Sequence, residues 1–69
     1  NHEQMDDLGN YYMQKEDFES ALLFFHFNIK NYPNNSKSYD SMGHYFLAIK
    51  QSAKATQMFK KANEINDIP

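Results

Sequence analysis

Sixty-nine residues, no cysteine and a net charge of −2 describe one small domain at most, with neither a disulfide framework nor a thiolate metal site. A chain this short buries only about 60% of the surface its unfolded form exposes, which leaves little room for an enclosed catalytic cavity. Seven basic residues against nine acids exclude a nucleic-acid module of the strongly basic kind.

Strand-forming residues are scarce: valine is absent and threonine occurs once, at Thr56. Two glycines and two prolines are too few for the turns of an all-β domain, so the chain reads as all-helical. No apolar run approaches the ~18 residues of a membrane helix, and no basic leader precedes an apolar stretch. Asn1 is not an initiator, so the sequence is expected to be a piece of a longer protein.

In chain order, Met5, Leu8 and Tyr12 fall on one helical face, at i, i+3 and i+7. Lys15-Glu16-Asp17 is a polar break, and Asp17 is placed to cap the next helix. Phe18, Leu22, Phe25 and Ile29 make a second apolar stripe. Tyr32-Pro33-Asn34-Asn35 ends it, because the residue before proline leaves helical geometry and Asn suits turns. Ser36 is expected to cap the third helix, where Tyr39, Met42 and Phe46 repeat the first stripe. Ser52 opens the fourth, with Ala55, Met58, Phe59, Ala62 and Ile65 as its core positions. The spacing predicts helices over 2–15, 18–31, 36–49 and 52–66.

The two halves superimpose at an offset of 34, which pairs Gly9 with Gly43, Tyr11 with Tyr45, Ala21 with Ala55 and Phe25 with Phe59. Gly9 and Ala21 are small where two antiparallel helices must approach closely. A large–x2–large–Gly–x2–aromatic run, then Ala–x3–Phe, then Pro33, resembles the tetratricopeptide repeat. The resemblance covers 2–35 and 36–69 as two repeats of one domain. It implies an all-α fold, a right-handed α-solenoid fragment of four antiparallel helices. Departures are Asn28 where the pattern prefers Ala, Glu16 and Lys50 for the usual turn glycine, and Asp67 for proline. On this spacing most of the eleven Phe and Tyr are core knobs rather than a ligand box.

Catalytic chemistry is not visible: no HExxH, P-loop or GxSxG motif occurs, and no serine has a His–acid partner at a readable spacing. Asp40 and His44, four residues apart, lack a third metal ligand and read as a solvated helix pair. No enzyme activity, cofactor or metal is expected.

The resemblance implies peptide binding in a groove lined by the first helix of each repeat. By position that groove displays Glu3, Asp6, Asn10 and Met13, then Lys37, Asp40, Ser41, His44 and Leu47. Some members of the family clamp a chaperone tail's carboxylate with a Lys and two Asn. Asn10 matches one of these, but Asp6 takes the lysine's place and Ser41 the second asparagine's, so acidic tails are poor ligands. A second candidate is an apolar docking patch, Leu23, Phe27 and Phe24, where the pattern normally carries charged outward residues. Charge is uneven, −4 over residues 1–35 and +2 over 36–69, and Lys50, Lys54 and Lys61 form a strip that reads as a solubilising face.

Phe27-Asn28-Ile29, Tyr32-Pro33 and Tyr39-Asp40-Ser41-Met42-Gly43 resemble a narrower subset: the repeat pair appended to esterase-like serine hydrolases of Bacteroidetes-type bacteria. This implies a catalytic serine on another domain and no catalytic role for any residue here. Three readings stay open: a scaffold for a protein or peptide partner, an accessory module of such a hydrolase, and a spacer without ligand. The last hairpin is expected to leave Ile65 and its outer face uncovered, favouring self-association or contact with an N-terminal domain of the same chain. Neither nucleic acid nor membrane is an expected partner, and the compartment is not readable.

Overall fold

The computed structural model describes residues 2–66, and over them the chain is four helices: α1 (His2–Gln14), α2 (Phe18–Asn31), α3 (Ser36–Ala48) and α4 (Ser52–Asn66). Each agrees with its expected span to within one residue. Asp67, expected to depart from the repeat's proline, lies outside the described residues.

Two breaks of the same design separate the paired helices. Glu16 N–H donates to the Met13 carbonyl at 3.0 Å, and Asp17 N–H to that of Tyr12 at 2.9 Å. Lys50 and Gln51 repeat these bonds to Leu47 and Phe46, at 3.1 and 2.8 Å. This is the Schellman closure, in which a left-handed residue lets the chain satisfy the last orphan carbonyls of a helix. The left-handed residues are Glu16 (φ 58°) and Lys50 (φ 63°), the two positions where the repeat pattern carries glycine.

The next helix start is built from side chains. Asp17 accepts from Ser20 N–H at 3.2 Å and from the Ser20 hydroxyl at 2.7 Å, as expected of an N-cap. At α3 the expected cap is displaced by one residue: Asn35, not Ser36, accepts from the N–H groups of Lys37 and Ser38. Ser36 is already helical, and an N-cap must itself have non-helical backbone, as Asn35 does (φ −98°, ψ 113°).

The helices pack as two hairpins, α1 on α2 and α3 on α4, with α2 lying against α3 and α1 touching α3. Glycine sets the closeness of each hairpin. A Cβ on Gly9 would come within 2.7 Å of Phe25 Cδ1, and one on Gly43 within 2.8 Å of Phe59 Cδ1. Ala21 and Phe25 of α2 form one buried cluster with Met42 and Tyr45 of α3, so the core straddles the boundary between hairpins. Tyr12, Phe18, Leu22 and Ile29 of the first hairpin, and Phe46, Ile49 and Met58 of the second, pack around it. The Cα framework measures 37 × 28 × 15 Å. At that thickness every helix keeps one side in solvent, so what the chain can do is set by its outer faces.

Candidate protein-interaction surfaces

The first-helix face divides into displayed and hidden residues. Glu3 and Asn10 on α1, and Lys37, Asp40, His44 and Leu47 on α3, are exposed, while Met13 is half-buried. Asp6 and Ser41 are not displayed, which corrects their assignment as groove residues. Both are buried, and the Ser41 hydroxyl donates to Asp6 Oδ1 across the boundary between hairpins. A buried carboxylate must be hydrogen-bonded, so this pair is a seam that fixes α1 against α3. No sequence spacing marks it, because its members are 35 residues apart and Ser41's place in the other half is taken by Asp7.

A second polar cluster adjoins the seam. Asn28, 1% exposed on α2, donates its side-chain amide to the His2 carbonyl at 2.8 Å and so ties the start of α1 to α2. Asn35 approaches His2 Nδ1 at 3.3 Å. Asn28 Oδ1 and the hydroxyl of buried Ser38 have no hydrogen-bond partner among the described residues. These groups line a narrow polar cleft with Asp6, Glu3 and Lys37. Asn28 thus departs from the repeat's alanine to make a long-range contact.

Asp40 Oδ2 and His44 Nε2 stand 3.9 Å apart with both side chains mostly in solvent, as expected of a solvated pair. Among the described residues no group of three His, Asp or Glu is placed to hold a metal ion. Of the basic strip, Lys54 lies over the Phe46 ring at 5.8 Å, an intrachain cation–π contact. None of the described helices is long and apolar enough to cross a membrane.

The apolar surface is concentrated in the first hairpin. Leu23 is 71% exposed and Phe27, one turn on, 46%. Phe24 belongs to this patch less than expected: it is half-buried and stacks on Tyr12, ring centroids 5.6 Å apart and planes 4° from parallel. Leu8, Tyr11 and Tyr32 are also exposed. Leu8 sits on the apolar stripe of α1, yet it is exposed. It is open because its counterpart Met42 is covered by the preceding hairpin, and nothing in the described chain covers α1 in the same way. The outer face of the last hairpin is open, as expected, but it is not apolar. Its outward positions Ser52, Thr56 and Asn63 are polar, and Ile65 is half-buried.

Neither family models, nor curated proteins, nor solved structures yield a match to this chain.

Proposed function

We propose that this chain is a protein-interaction module of the tetratricopeptide kind, docking a partner through the apolar outer surface of its first hairpin. One observation carries the reading: of the six large hydrophobic residues exposed among the described residues, four lie on the helices of the first hairpin and Tyr32 caps its end, against only Leu47 on the second. Apolar side chains scattered singly need no explanation, but a concentration on one unit of a two-unit chain marks a contact surface. Burying a side chain such as Leu23 or Phe27 contributes about 1.5–3 kcal/mol, so the pair offsets part of the cost of association and can anchor a larger contact. The polar first-helix face supports peptide capture less well. Two of its nine groove positions are sealed into the Asp6–Ser41 seam.

The test is selection of binders from a displayed library holding both amphipathic helices and extended peptides, with the full chain as bait. Enrichment of amphipathic helices, lost on Leu23→Glu with Phe27→Lys and retained on Lys37→Glu with His44→Ala, supports the reading. Enrichment of extended peptides with the opposite sensitivity would move the function to the groove. No enrichment of either class would leave a spacer.

A further inference from the structure

Resting on the protein-interaction reading above, we infer that the face of α1 centred on Leu8 and Tyr11 receives a further helical hairpin of different sequence, one that presents a hydrogen-bond donor to Asp7. A second copy of this chain does not fit that face. The 34-residue offset maps α3 onto α1, Met42 onto Leu8 and Tyr45 onto Tyr11. Met42 and Tyr45 are 4% and 7% exposed because they join Ala21 and Phe25 of the preceding hairpin in one cluster. Leu8 and Tyr11 hold the same places on α1, yet are 39% and 52% exposed. The surface with which the second hairpin receives the first is therefore present again, uncovered, on the first. Continuity with that interface identifies the occupant as a hairpin whose second helix presents Ala–x3–Phe, with apolar residues at the places of Phe18, Leu22 and Ile29.

The second hairpin of another copy keeps Ala55–x3–Phe59 but lacks the apolar residues that flank it. Its corresponding residues are Ser52, Thr56 and Asn63, all exposed and polar. The seam gives an independent reason. Inside the chain, Ser41 donates to buried Asp6. On the open face Ser41's place is taken by Asp7, and in the second hairpin Asp6's place is taken by Asp40. Head-to-tail stacking of two copies would set Asp40 against Asp7, two carboxylates where the native seam has a carboxylate and a hydroxyl. Like charges brought together at an interface reject a wrong partner, so the fitting hairpin carries Lys or Asn there. The net charge of −4 over residues 1–35 favours a basic partner in the same sense.

The experiment adds a copy of residues 2–35 ahead of His2 in the full chain, which keeps the 34-residue register. One form carries the added copy unchanged and the other Asp6→Lys in that copy alone. The Lys form is expected to melt roughly 5 °C or more above the native chain, and to slow amide exchange along the original α1. The unchanged form gains less, and Asp7→Ser in the original α1 restores its gain by recreating the native seam. Equal gains for the two forms, or no effect of Asp7→Ser, would overturn the donor requirement. No gain in any three-hairpin form would overturn the docking face. Concentration-dependent head-to-tail association of the native chain in sedimentation would overturn the exclusion of a second copy. None of these readouts involves Leu23 or Phe27, so they fail or succeed separately from the library selection.

Discussion

Glu16 and Lys50 hold the same left-handed backbone, φ 58° and 63°, at the same place in the two hairpins. For a residue with a Cβ this conformation costs about 1–2 kcal/mol, and it persists because the closing bonds to Met13 and Tyr12, and to Leu47 and Phe46, need it. Replacing either residue by glycine removes the steric cost but adds some entropy to the unfolded chain. We expect Glu16→Gly and Lys50→Gly each to stabilise by about 1 kcal/mol in urea unfolding, whereas Glu16→Ala gives no gain because alanine keeps the Cβ. Equal midpoints for the Gly and Ala variants would refute the steric account.

The two close helix contacts differ in how far they can yield. An alanine at position 9 drives its Cβ into the ring of Phe25, which is fully buried in the cluster shared with Met42 and Tyr45. At position 43 the same Cβ meets Phe59, a half-buried ring of the second hairpin. A ring with solvent on one side shifts more cheaply than one enclosed on all sides. Gly9→Ala is expected to cost about 2–3 kcal/mol and Gly43→Ala about 1 kcal/mol or less, in the upper and lower parts of the overpacking range. Thermal unfolding of the two single variants checks the order, and a larger loss at position 43 would contradict it.

What the sequence disclosed and what it withheld divide along one physical line. Helices and breaks are written in local patterns. Phe18, Leu22, Phe25 and Ile29 show the period of a helix, and Asp17 closes a three-residue polar break and caps α2, so these were legible. The repeat carried the reading further: it marked Gly9 as a point of close helix approach, and the structure puts the ring of Phe25 there, as it puts Phe59 against Gly43. Repetition also misled. It assigns Leu8 the environment of Met42, although a repeat unit is covered only by its neighbour and the first described hairpin has none before it. Asp6 and Ser41 were misplaced for the opposite reason: their pairing depends on which hairpin faces which, and no spacing within one helix encodes that.

The seam itself can be measured. Ser41→Ala strands a buried carboxylate without its hydroxyl donor, and removing one partner of a buried pair costs about 1–3 kcal/mol. Asp6→Ala removes the acceptor and leaves a hydroxyl that can reorient, so it costs less than Ser41→Ala. In a double-mutant cycle by urea unfolding, the combined variant should lose less than the sum of the two single losses. Strict additivity would show that the bond contributes nothing to holding α1 against α3.

The polar cleft beside the seam contains opposite effects within a few ångströms. Asn28 donates to the His2 carbonyl, a contact across 26 residues that anchors the first turn of α1. Asn28→Ala breaks that bond and empties space in a fully buried site, for a loss of about 1–3 kcal/mol, with α1's first amides exchanging faster. Ser38, buried in the first turn of α3, has a hydroxyl with no partner among the described residues. Ser38→Ala deletes an unsatisfied polar group and substitutes a better helix former, so it should stabilise by about 1 kcal/mol. The backbone N–H of residue 38 keeps its bond to Asn35 in either variant, which isolates the hydroxyl as the cause. A loss of stability on Ser38→Ala would mean that the hydroxyl is engaged in solution, and the cleft would then have to be counted as part of the packing that holds the two hairpins together.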